Sequence, residues 1–170
     1  MDNKIYEYRI IKKAGIEAYS IRAAIVLGIL FIAVMGFGFL GVYGLLFLFF
    51  AIFFGYKFYA YSKVEYEYRI LDNELRVDVI YGESKRKEVG VFDLKKSDLI
   101  TNVDSDEAAY YQKASEMKIF DFLSGYEGKK DNELLIIAGY GASNARVYIE
   151  VSDEIKEYLK YRFPMKCKFR

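Results

Sequence analysis

The chain has 170 residues, a formal net charge of +1, no histidine and a single cysteine. So small a charge speaks against nucleic acid as a partner, since neutralising phosphates calls for a strongly basic surface. Without histidine, the commonest general base and zinc ligand is missing, and Cys167 alone can build neither a nucleophile pair nor an intrachain disulfide; the expectation is a non-enzymatic protein with no metal and no cofactor.

Residues 4–13 put Tyr6, Tyr8 and Ile10 on one face if extended, a half-buried strand pattern with helix as the competing reading. From Ala14 an interfacial turn should lead into the membrane, with Tyr19 at headgroup depth. Ala23 to Tyr56 then contains no Asp, Glu, Lys or Arg. About 20 apolar residues suffice to cross a hydrocarbon core of about 30 Å, so this run of about 34 is too long for one crossing and suits two of about 17. Gly36, Gly38, Gly41 and Gly44 crowd its middle, where backbone freedom favours a turn. A transmembrane helical hairpin is the expectation. A cleavable signal peptide fits poorly, because the run far exceeds an h-region and aromatics and Lys57 follow it instead of a small-residue cleavage site.

Within the run, Ala24 and Gly28 lie four apart near one end and Ala51 and Gly55 lie four apart at the matching depth of the other. Small residues so spaced let helices approach, which makes these four the candidate helix–helix contacts, although small residues are common in membrane helices anyway. Residues 1–61 carry six basic and three acidic side chains, against nineteen and twenty-one in residues 62–170. Lys12, Lys13 and Arg22 precede the run, and Lys57, Lys63 and Arg69 follow it. Positive charge prefers the cytoplasm, so a multi-pass protein of the cell membrane with both termini cytoplasmic is expected.

Beyond Tyr61 the period becomes two: Val64, Tyr66, Tyr68 and Ile70 alternate with Glu65, Glu67 and Arg69, Leu71-Asp72-Asn73-Glu74 turns, and Leu75, Val77, Val79 and Tyr81 alternate again. In that hairpin Arg69 would face Arg76 and Glu67 would face Asp78, a repulsion relieved only along the diagonals. Further strands are expected around 87–92, 94–100, 117–123, 134–140 and 145–151, with 101–116 open between a helix capped by Ser105 and a mobile loop. Ser152 should cap a helix with Asp153 and Glu154 in its first turn, Ile155, Tyr158 and Leu159 as its apolar stripe, and Pro164 as its stop. The tail alternates Lys166, Lys168 and Arg170 with apolar residues and suits either an anionic membrane surface or a last strand. With Lys12, Lys13, Arg22 and Lys57, these three complete the candidate membrane-surface contacts. Lys85-Arg86-Lys87, flanked by Glu83 and Glu88, reads as a solvated hairpin tip before a headgroup site. Tyr-Glu-Tyr-Arg-Ile occurs twice, at 6–10 and 66–70, without making a repeat architecture.

About seven antiparallel strands that begin with a tight hairpin and end in one helix follow the element order of a pleckstrin-homology-like (PH-like) domain. The full order is a basic N-terminal segment, an apolar hairpin, the stretch Tyr-Glu-Tyr-Arg-Ile-Leu-Asp-Asn-Glu-Leu-Arg-Val-Asp-Val, a Lys-Arg-Lys strand entry and a last helix ending in Phe163-Pro164 and basic residues. It resembles a family of bacterial membrane proteins with PH-like domains. The resemblance implies an α+β protein with a membrane hairpin in residues 1–62 and a cytoplasmic PH-like domain in 63–170. It brings no catalytic residue and no ligand, and the Asp72-Asn73-Glu74 tip departs from the basic tip of phosphoinositide-binding PH domains. The expected role is a membrane-anchored binding or scaffold domain with the lipid bilayer as partner. The alternative is an accessory or regulatory subunit held by a larger membrane protein.

Overall fold

The structure, a computed structural model, describes residues 5–82, 85–113, 117–126 and 130–169. Strand β1 (Tyr6–Ile11) precedes helix α1 (Ile16–Leu40), a 3-10 turn (Gly41–Tyr43) and helix α2 (Gly44–Tyr61). Then come β2 (Val64–Leu71), β3 (Glu74–Tyr81), β4 (Lys85–Asp93), β5 (Leu99–Asn102), α3 (Asp106–Gln112), β6 (Lys118–Asp121), β7 (Glu133–Tyr140), β8 (Ser143–Glu150) and α4 (Asp153–Arg162). The strands form one eight-stranded sheet in the order β1-β2-β3-β4-β7-β8-β6, with β5 paired to β7.

One expectation needs correction. The sheet has eight strands because residues 6–11 join it, and it is not wholly antiparallel: β6 runs parallel to β8, from Lys118 opposite Ala145 to Asp121 opposite Tyr148. The chain divides into one unit holding residues up to Lys12, Tyr66–Val79 and Lys87 onward, and a second holding Lys13–Glu65 with Ile80–Arg86. The apolar segment is thus an insertion between two strands of the sheet and not a leader in front of it.

The two copies of Tyr-Glu-Tyr-Arg-Ile lie on the neighbouring strands β1 and β2. Tyr8 stacks on Tyr68 at 6.4 Å between ring centroids, and Arg9 Nη2 donates to Glu67 Oε1 at 3.1 Å. One step forward on β1 matches one step back on β2, which is antiparallel order. Between β2 and β3 the tight turn places Asp72 at φ +53°. The charge problem foreseen for this hairpin is solved along the diagonal, where Arg69 Nη2 donates to the buried Asp78 Oδ2 at 2.5 Å, while Arg76 turns to Glu74 on its own strand at 2.9 Å.

The main core collects Tyr68, Ile70, Leu75, Val77, Phe92 and residues of β7, β8 and α4. Tyr68 donates its hydroxyl to the Phe122 carbonyl at 2.6 Å, and burial pushes its phenol pKa upward. Strand β7 is buried on both faces, so its outer face needs a cover. Leu99, Ala108, Leu135 and Ile137 form a second, smaller core there, with Val103, Tyr111, Met117 and Tyr148 packed against it. Residues 106–112 supply part of that cover as a helix: Ser105 Oγ accepts from Ala108 N at 3.1 Å, and Arg146 Nη1 donates to the Gln112 carbonyl at 2.7 Å. Helix α4 closes the main core with Ile155 and Leu159 buried, capped by Ser152 as expected. Tyr158 stacks 4.3 Å from Tyr6 and donates its hydroxyl to the Asp72 carbonyl at 3.1 Å.

Candidate functional site

Residues Ile16–Tyr61 are long and apolar enough to cross a membrane, and only 6% of their most apolar window is buried. A core helix of a water-soluble domain would be mostly buried. Here Val26, Phe31, Val34, Phe47, Phe50 and Phe53 are all exposed, and each such side chain left in water forgoes roughly 1.5–3 kcal/mol of burial. A hydrocarbon surround removes that cost.

The polypeptide reverses at Gly41, whose φ of +53° lies in the left-handed region that glycine adopts without strain. Just past the turn the backbones nearly touch: a Cβ on Gly44 would overlap the Gly36 carbonyl and lie 3.1 Å from Gly36 Cα. At the far end a Cβ on Gly55 would meet Ile29 Cδ1 at 2.8 Å and Ile25 Cγ2 at 3.2 Å. Less exposed positions trace both contact faces, Ile25, Ile29, Ala33 and Gly36 on α1 and Gly44, Leu48, Ala51 and Gly55 on α2. Their spacings of three and four keep one stripe of each helix turned toward the other. Ala51 and Gly55 therefore lie on the contact. Ala24 and Gly28 do not: both are exposed, and nothing lies within 4 Å of a Cβ added at Gly28. The sequence reading paired small with small, whereas the fold seats isoleucines over a glycine.

The charged ends are arranged around this pair. Arg22 does not simply extend to a surface; its Nε donates to Ser62 Oγ at 2.9 Å and its guanidinium lies 5.0 Å from the Tyr59 ring, tying the start of α1 to the end of α2. Lys57 lies 5.1 Å over the Phe53 ring one turn back, its ammonium at the rim of the apolar surface. Lys13 is exposed, and Lys12 sits 5.6 Å over the Tyr66 ring. The β3–β4 turn belongs to the same unit as the helix pair. Gly82 N donates to the Lys63 carbonyl at 3.1 Å, and Gly82, at φ +57°, lies so close that an added Cβ would be 3.0 Å from Ala60 C and Tyr61 Cα.

The tail resolves toward the sheet. Ile100 N donates to the Lys166 carbonyl at 2.9 Å, Lys168 N donates to the Ile100 carbonyl at 2.8 Å, and Ile100 bridges Cys167 in parallel. Lys166 turns its ammonium onto the Lys95 carbonyl; Lys168 is exposed, and Arg170 lies outside the described residues. Burial pushes the Cys167 thiol up to about 11, partly offset by Lys160. The thiolate is the reactive form, so at pH 8 iodoacetamide should modify Cys167 about a hundredfold more slowly than a thiol of ordinary pKa, the rate rising steadily toward pH 11. A pH–rate profile followed by mass spectrometry checks this.

At the β2–β3 turn a cleft of about 420 Å³ is lined by Leu71, Asp72, Asn73, Glu74, Asp93 and Lys95. Three carboxylates against one lysine suit a phosphate poorly. Among the described residues no group of three His, Cys, Asp or Glu is placed to hold a metal ion.

The model of the bacterial PH-like domain family (DUF6106) matches residues 3–169. The chain belongs to this family. No curated protein and no solved structure matches it. The match spans β1, the apolar segment and the sheet of this bacterial PH-like domain together. Sequence reasoning missed the pairing of β1 with β2, and the repeated pentapeptide was the signal for it.

Proposed function

We propose that this bacterial PH-like domain is a membrane-anchored, non-enzymatic binding or scaffold domain, held at the cytoplasmic face of the cell membrane by α1 and α2 crossing as a hairpin. One observation carries the reading: the apolar segment leaves the sheet from β1 and returns to it in β2, and these are antiparallel neighbours. Two strands of one sheet lie on one side of a bilayer, so the segment between them crosses an even number of times. Its turn at Gly41–Tyr43 carries no charge, and basic residues gather at its two ends, which favours the cytoplasm for the sheet. The absence of histidine and of any phosphate-binding loop in the sequence supports a binding role over catalysis.

Extraction and purification of the full chain test this. It should stay with membranes through alkaline carbonate and come away only in detergent; release by carbonate alone would overturn the anchor. A stoichiometric membrane-protein partner retained in mild detergent would move the reading to the accessory subunit.

A further inference from the structure

We propose that Tyr81 and Gly82 at the end of β3, Lys85 at the start of β4 and the end of α2 together form a contact site for anionic lipid headgroups, a deepening that rests on the membrane-anchor reading above. The compact unit that contains the apolar segment also contains residues 80–86, and its charges are six basic, Lys13, Arg22, Lys57, Lys63, Lys85 and Arg86, against three acidic, Glu17, Glu65 and Glu83. Every one of them lies outside the uncharged run from Ala23 to Tyr56.

Gly82 is fixed at that end. It lies against Ala60 and Tyr61, where an added Cβ would be 3.0 Å from backbone atoms at a φ of +57°, and its N–H donates to the Lys63 carbonyl. Tyr61 and Tyr81, both partly exposed, add amphipathic rings of the kind that sit at headgroup depth. Lys63 and Lys85 are exposed beside them, and Lys57 lies further back along α2 over Phe53. In the sequence alone, Lys85-Arg86 reads as a solvated tip because acids flank it. The attachment of Gly82 to the last turn of α2 changes the setting: on the anchor reading Lys63 and Lys85 stand by the end of a membrane helix, and basic side chains within a Debye length of about 8–10 Å of a bilayer surface are attracted to anionic lipid.

The sequence has no tryptophan, so Tyr81→Trp supplies a single fluorescent reporter at the turn and Phe47→Trp a single reporter in the apolar segment. Each full-length variant is reconstituted into phosphatidylcholine vesicles containing one quarter phosphatidylglycerol, with the bromine quencher on the acyl chains of one lipid or the other at equal amounts. The turn reporter should be quenched roughly two- to threefold more by the brominated anionic lipid, and Lys63→Gln with Lys85→Gln should abolish the preference. Lys95→Gln with Lys96→Gln, in the other unit, should leave it intact. The reporter in the apolar segment should be quenched equally by both lipids in every variant.

If the apolar-segment reporter is not quenched by either lipid, the anchor reading itself falls, and this proposal with it. Quenching there beside an unquenched turn reporter, or a turn reporter quenched without headgroup preference, overturns the proposal and leaves the anchor standing. An equal loss of preference from the Lys95 and Lys96 changes would mean general attraction and no site at the turn, which also overturns it.

Discussion

Leu159→Ala is expected to destabilise the PH-like domain by about 2–5 kcal/mol, because it empties a packed site beneath α4. Leu159 is fully buried, one turn on from the buried Ile155, and the helix that carries it is pinned by the Ser152 cap and by Tyr158 reaching the Asp72 carbonyl. The neutral comparison is Glu157→Ala, exposed on the opposite face and expected within about 0.5 kcal/mol. Lys156 looks equivalent in the sequence but is not, since its ammonium donates to the Asp131 carbonyl. Urea unfolding of the full chain in mild detergent gives both values. Equal small losses would mean that α4 is no lid and that its apolar stripe serves a partner instead.

Gly44→Ala is expected to weaken the helix pair by about 1–3 kcal/mol, the ordinary penalty of overpacking. Its Cβ would collide with the backbone carbonyl of Gly36, and a backbone atom cannot swing aside as a side-chain tip can. Gly28→Ala sits in open space and should be neutral or stabilising by up to about 1 kcal/mol, since alanine is the better helix former. Titration with a denaturing detergent, followed by helix content and by energy transfer between dyes on the two helices, measures both. Reversed effects would place the contact on the Ala24 and Gly28 face.

These two glycines also show what a sequence carries and what it withholds. The apolar run, the glycine-rich reversal, the alternation in β2 and β3 and the Ser152 cap are local patterns, and each was legible. What faces what across the helix pair depends on shape. Ile25 and Ile29 fill the space that Gly55 leaves, a complementarity that a search for small residues at matching depth passes over. Long-range pairing was hidden for a related reason. The β1 and β2 strands meet across more than fifty intervening residues, and β6 lies beside β8 and not β7, so neither neighbour follows from proximity in the chain. The double burial of β7 was readable as an unbroken apolar run, and it implied a cover without saying that residues 106–112 supply it. The basic stretch at Lys85 was legible only as a cluster; the attachment of the neighbouring Gly82 to Tyr61 and Lys63 is a fact of the fold.

The central claim is that β1 and β2 stand on one side of the membrane with the Gly41–Tyr43 turn on the other. The single substitutions Lys13→Cys, Val42→Cys and Lys63→Cys, each in a Cys167→Ser background, report this through a maleimide that does not cross bilayers. In intact cells the Val42→Cys protein should react at once, and the Lys13→Cys and Lys63→Cys proteins only after permeabilisation. Labelling of positions 13 and 63 from opposite sides would require an odd number of crossings and would contradict the account, as would a Val42→Cys protein that needs permeabilisation along with the other two.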